Sequence, residues 1–174
     1  MGTVHIAALK SKWLYLTTKF LLGTDVPSST DIRIEQVRDA SRQIVRELGF
    51  MRETVAATAF PPSAVHALIE IGANGGITAA RLGESLLLEK SSVSRMLRKL
   101  VNAGEVAERP NPDDARAKLL VLTAQGESTL AAINAFGRSQ VSGAFEHLSP
   151  EDRELVAAGL AAYARALRKA RTRA

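Results

Sequence analysis

The chain has 174 residues, no cysteine and a formal net charge of +5. That length points to one domain, or one domain with extensions, and it can bury a core without covalent staples. The missing cysteine removes disulfides, thiolate metal sites and cysteine nucleophiles together, and fits a reducing compartment. The hydrophobic fraction is 46% with only 5% aromatic, dominated by alanine and leucine, so a helix-rich fold is expected. The basic balance, with a pI near 9.9, favours an anionic partner, nucleic acid before a membrane surface. No apolar run reaches the ~18 residues that a membrane span needs, and no membrane partner is expected.

Residues 1–30 read as an extension, a helix followed by a linker. "VHIAALKSKWLYLTTKFLLG" carries three lysines and no acid. Ile6, Leu9, Trp13, Leu16 and Phe20 recur every three to four residues and share one helical face. The segment lacks a small-residue cleavage signal, an arginine-rich transit composition and a myristoylation signal, since position 6 is Ile6. A packing or dimerisation helix is the expectation. Gly23 stops it, and "TDVPSST" reads as a linker.

From Asp31 to about Ala59 the pattern is helical, with Ile34, Val37, Ile44, Val45 and Leu48 as its apolar set. The prolines of "FPPS" end it, and Ser63 is the expected cap of the next helix, whose apolar residues are Val65, Leu68, Ile69 and Ile71. "ANGG" is a turn. Thr78 is a good N-cap for a short helix through Ser85. A second short helix starts near Ser91 and stops before "NAGEV", where Gly104 suits a left-handed cap. Two short helices joined by a tight turn make a helix-turn-helix pattern.

Two short strands follow, Glu105–Arg109 and Lys118–Leu122, separated by "PNPDDARA". A long helix from Thr123 onward turns Leu130, Ile133, Phe136, Val141, Phe145 and Leu148 inward. A last helix is capped by Ser149, with Pro150 at its first position and Glu151 and Asp152 at its positive end. Its final turns carry Arg165, Arg168, Lys169, Arg171 and Arg173. They read equally as a solvated helix end and as a nucleic-acid arm.

At 100° per residue, Ser91, Ser94, Arg95 and Arg98 fall on one side of the second short helix. Val93, Met96, Leu97, Leu100 and Val101 fall on the other. The apolar side must pack on the domain. The other side offers what a helix in a major groove needs. Small residues allow close approach, hydroxyls and amide N–H groups reach phosphates or base edges, and arginine pairs bidentately with guanine. Taken alone, this helix is equally an amphipathic helix with a solvated basic face. The basic hairpin behind it decides for a wing, with Arg116 and Lys118 beside the duplex, because the minor groove attracts an inserted arginine. Asp114 is expected to pair with Arg116 or with amides of the turn and so fix the loop's shape.

These pieces together resemble the winged helix-turn-helix core of MarR-type transcriptional regulators. The match rests on the run "SSVSRMLRKL", on "AGEVAER", on Asp114 to Arg116 and on "LLVLTAQG". It covers roughly Asp31 to Leu167. "VRDASRQIVRELGFM" and "SAVHALIEIGANGGITAARL" are similar to the regulator half of MarR proteins fused to an acetyltransferase. This chain is too short to hold that second domain, so any such activity is expected from a separate protein. The resemblance implies a mainly α fold (α+β): a winged helix-turn-helix over about 62–123 with a two-stranded wing, and dimerisation helices over about 31–59 and 124–171 within a MarR-like domain of residues 31–174. It implies that Ser91, Ser92, Ser94 and Arg95 contact DNA from the recognition helix and Arg116 from the wing tip. It makes Asp114 the support of Arg116, and Arg98, Lys99 and Lys118 phosphate contacts. Ala115 departs from the family pattern, which often has a second basic residue there. Residues 1–30 have no family counterpart.

No enzyme is suggested. His5, His66 and His147 stand far apart with no acid or His at ligand spacing, so no metal site is expected, and His66 reads as a core or interface residue. There is no G-x-S-x-G and no phosphate loop, and no cofactor is expected. The reading is a homodimeric, sequence-specific DNA-binding regulator, a repressor responsive to a small anionic or aromatic effector. Its partners are double-stranded DNA and a second copy of itself. The expected location is the cytoplasm, on the nucleoid in a bacterium and in the nucleus in a eukaryote. The alternative is a protein-interaction module, or a subunit partnering an acetyltransferase.

Overall fold

A computed structural model describes residues 28–51, 54, 56, 58–112, 114 and 116–172. The apolar face expected over Ile6 to Phe20 lies outside the described residues. The chain divides at the Glu47–Leu48 junction into two compact units.

Helix α1, Ser29–Glu47, is the described part of the first unit. Ser28 caps it. The Ser28 hydroxyl accepts from the Asp31 amide at 3.1 Å, while the Ser28 amide and hydroxyl donate back to the Asp31 carboxylate at 3.0 and 2.8 Å. This reciprocal pairing satisfies donors that a bare helix start leaves open. The stretch expected as linker therefore ends by capping and opening the helix. Ion pairs Arg38–Glu35 and Arg42–Asp39 line its surface. The helix expected to run to Ala59 ends at Glu47, before Gly49, which takes a positive φ of 79° that continues no right-handed helix.

The second unit begins its regular structure with α2, Pro62–Asn74. Its N-cap position is Pro61 and no side chain caps it, so Ser63 does not take the expected role. A proline at the first helical position lacks an N–H and carries the right φ, which removes the need. Ala64, Val65, Ala67, Leu68 and Ile71 bury one face. Gly75, at φ 62°, turns the chain into β1, Ile77–Thr78. Then comes α3, Ala79–Leu86, where the Thr78 hydroxyl accepts from the Arg81 amide as expected of a cap. Leu87 takes a left-handed conformation, and α4, Lys90–Asn102, follows. Strands β2, Val106–Pro110, and β3, Lys118–Leu122, form a hairpin in which Glu108 faces Leu120 and Pro110 faces Lys118. The sheet order is β1-β3-β2, all antiparallel. The wing thus has two strands, and the two-residue β1 extends its sheet.

The core is one apolar cluster. Leu68, Ile71, Leu82, Leu100 and Leu120 are its largest fully buried members, with Val93, Met96, Leu97 and Val106 around them. Burying such side chains stabilises by roughly 1.5–3 kcal/mol each, and here it locks α2, α3, α4 and the sheet into one block.

Helix α5, Ala124–Phe145, is capped by Thr123. Helix α6, Pro150–Arg171, is capped by Ser149, whose hydroxyl accepts from the Asp152 amide at 3.1 Å. Of the inward set expected for α5, only Ile133 is buried. Phe136 and Val141 are 37% and 51% exposed. Leu130, Phe145 and Leu148 are half-buried, so the expected inward face is covered only in part within this unit.

Candidate nucleic-acid interface

Helix α4 owes its orientation to Val93, Met96, Leu97 and Leu100, which are buried in the core. With those four inward, Ser91, Ser94, Arg95, Arg98 and Lys99 are exposed and Ser92 is half-buried. The Arg95 guanidinium donates to the Ser92 hydroxyl at 3.4 Å, so the two share one patch of the helix surface. Val101 is the departure, at 38% exposure. Helix α4 ends where Gly104, at φ 74°, reverses the chain into β2.

The wing is shaped locally. The Asp114 carboxylate accepts from the Arg116 amide at 2.9 Å, and the Asp114 carbonyl accepts from the Ala117 amide at 3.0 Å. The acid therefore supports the turn through the backbone of Arg116, with no ion pair between the two side chains among the described residues. Arg116 is exposed. Ala115, the position that departs from the family pattern, lies outside the described residues.

Lys118 donates to the Glu108 carboxylate across the hairpin, with the side chains 68% and 42% exposed. The sequence shows no hint of this pair, because it depends on strand register. Glu108 also lines a groove of about 690 Å³ with Lys90, Ser94, Arg98 and Asn102 of α4 and Ala79 at the start of α3. Lys90, Asn102 and Glu108 are the surface residues that sequence reasoning passed over. Only alternation along β2, which puts Val106 and Glu108 on one face, could have singled out the acid.

Beneath this surface lies a polar junction. The Thr123 hydroxyl, besides capping α5, donates to the Gly104 carbonyl at 2.5 Å. The Gln125 carboxamide donates to the Ala103 carbonyl at 2.9 Å and to the Glu105 carboxylate at 3.0 Å. Glu105 is 4% exposed. The end of α4, the root of the wing and the start of α5 are thus tied at one place.

A second cavity, of about 770 Å³, lies between α2 and α5. Phe50, Val65, Ile69, Phe136 and Phe145 give it an apolar lining, and His66 and Arg138 add polar edges. His66 is exposed and stacks on Phe50, with ring centroids 5.8 Å apart and planes 15° from parallel, so of the two expected placements, core or interface, it is not in the core. No group of three or more His, Asp or Glu among the described residues is placed to hold a metal. No described helix is long and apolar enough to cross a membrane.

Residues 60–117, which run from the start of α2 through the wing turn, match the model of the MarR family. Over that third of the chain the sequence is similar to the MarR family, and the fold is that of MarR-type winged-helix regulators. It is 35% identical over 80 residues to the transcriptional regulator HosA of Escherichia coli O111:H-, covering 46% of this chain. That match spans 59% of HosA's own length. A MarR family transcription regulator of known structure is 25% identical, with a TM-score of 0.65 over 82% of this chain and 95% of its own. FabT of Streptococcus pneumoniae, solved in complex with DNA, has a TM-score of 0.68 at 18% identity, covering 78% of this chain and 98% of its own. MarR family transcription regulators bind DNA.

Proposed function

We propose that this MarR-type chain is a sequence-specific DNA-binding transcriptional repressor that works as a homodimer and answers to a small effector. The observation that carries the reading is the outward face of α4. Four buried apolar residues fix that helix, and they leave Ser91, Ser94, Arg95, Arg98 and Lys99 exposed on the block that also holds Arg116. In this reading α4 lies in the major groove, where Arg95 reads a base edge. Ser91, Ser92 and Ser94 allow close approach and bond to phosphate or base, Arg98 and Lys99 bind phosphates, and Arg116 enters the minor groove. Lys118 joins the phosphate contacts when it leaves Glu108. The proposed winged helix-turn-helix spans about 62–123, with dimerisation segments on either side.

The dimer is supported by α6. Val156, Leu160, Tyr163 and Leu167 follow a spacing of three to four residues and are 38%, 52%, 42% and 53% exposed, an apolar stripe suited to a second copy. The effector reading is supported by the cavity between α2 and α5. An aromatic stack and an arginine at its edge suit a small anionic aromatic molecule. A cytoplasmic regulator acting on genomic DNA is the matching location, and no catalytic role is proposed.

Electrophoretic mobility on the DNA upstream of the protein's own gene tests this. The expected result is specific binding that weakens steeply with salt, because each phosphate contact releases counterions. Absent or salt-insensitive binding contradicts it.

A further inference from the structure

The groove between α4 and β2 has a consequence for how tightly DNA is held, one that rests on the DNA-binding reading. If α4 occupies the major groove and the wing the adjacent minor groove, the phosphate strand separating those grooves must cross the surface between the two elements. On this molecule that surface is the groove lined by Lys90, Ser94 and Arg98 on one side and Glu108 on the other. Three of these residues suit a phosphate strand. Glu108 does not, and its carboxylate already holds the Lys118 ammonium.

We infer that Glu108 is an affinity-limiting residue of the DNA interface. It keeps Lys118 paired in the free protein and opposes the phosphate strand that must pass over it. DNA binding then requires Lys118 to exchange a carboxylate for a phosphate, so one cation of the wing yields less than a free lysine would. The pair is largely exposed, and exposed pairs are weak, so the exchange is readily made. Glu108 touches no base in this arrangement. It lowers affinity for every duplex by the same factor and leaves discrimination to α4. The result is a lower affinity for any duplex than the cations of this face alone would give.

The test compares wild type, Glu108→Gln, Lys118→Met and the double variant. Binding is measured on a random-sequence duplex and on a duplex selected by the wild type from a random pool, across a salt series. Glu108→Gln is expected to tighten both complexes by about three- to tenfold at low salt and to steepen the salt slope by about one. The gain should be clearly smaller in the Lys118→Met background. Glu127→Gln makes the same charge change behind the sheet, where Glu127 lines a separate groove with Arg109 and Val121, and it should leave affinity near the parent value. Three results overturn the inference: an unchanged Glu108→Gln affinity, an equal gain with and without Lys118, or a gain matched by Glu127→Gln. A loss of sequence preference in Glu108→Gln also overturns it, by making the acid a base reader. If the wild type itself binds no duplex, it is the DNA-binding reading that fails.

Discussion

Gln125 and Glu105 meet at the root of the wing, where the carboxamide of the first turn of α5 donates to a carboxylate that is 4% exposed, at 3.0 Å. The other carboxylate oxygen of Glu105 has no hydrogen-bond partner among the described residues. A buried acid with one hydrogen bond depends heavily on it, because an unpaired buried polar group costs about 1–3 kcal/mol. Gln125→Ala should therefore lower stability by that amount, measured by urea unfolding. Gln125→Glu should be at least as damaging, since it places a second carboxylate beside the first. A midpoint unchanged in both variants would show that the junction contributes nothing.

Gly126 tests the same junction by packing. A Cβ at this position would run into the Glu105 carbonyl oxygen, with the Leu122 Cβ at 3.3 Å, and both are parts of the rigid block. Overpacking of this kind costs typically 1–3 kcal/mol. Gly126→Ala should lower Tm by several degrees in a thermal scan. Gly137→Ala on the same helix meets nothing within 4 Å and should hold or raise it. Equal behaviour of the two variants would contradict the close approach of α5 to the wing root.

Asp114 separates shape from charge. Its role is to accept from the Arg116 amide, and an asparagine keeps an oxygen that can do so. Asp114→Ala should weaken DNA binding with little change in Tm, while Asp114→Asn should bind as well as the parent or better. If Asp114→Asn is as weak as Asp114→Ala, the carboxylate acts through its charge and not through the turn.

Asp31 gives a pH dependence. Hydrogen bonds from the Ser28 hydroxyl and amide hold its carboxyl below the usual carboxylate value. A group whose folded pKa is depressed stabilises the folded form above its ordinary pKa and loses that contribution as pH falls. The start of α1 should therefore loosen at acid pH, below the usual carboxylate range near 4. Hydrogen exchange at the Asp31 and Ile32 amides, compared between wild type and Asp31→Asn, reads this directly. Protection that is equal in the two proteins at neutral pH would remove the role.

Much of this surface was legible because it is local. The period of α4 separates Val93, Met96, Leu97 and Leu100 from Ser91, Ser94, Arg95 and Arg98, and the core obeys that division. Caps at Thr78 and Ser149 could be read from one residue and its next turn, while the cap at Thr123 comes from the structure. What escaped depends on distant partners. The strand at Ile77–Thr78 exists only by pairing with Leu120 and Leu119. The Glu108–Lys118 pair needs the hairpin register. Glu105 reads as a surface charge until Gln125, twenty positions on, is brought over it. Phe136 and Val141 carry an inward pattern, yet an amphipathic period does not say whether the covering surface lies in the same unit.

In the proposed function the outward face of α4 reads DNA sequence. The most direct measurement is the affinity of wild type and Arg95→Ala for duplexes selected by the wild type from a random pool and for variants of them changed one base pair at a time. The wild type is expected to select two related half-sites about one helical turn apart. Arg95→Ala should lose about 1–3 kcal/mol of discrimination at one position of each half-site while keeping its salt slope. A wild type that selects no common sequence, or an Arg95→Ala protein with the parent's preference at every position, would contradict it.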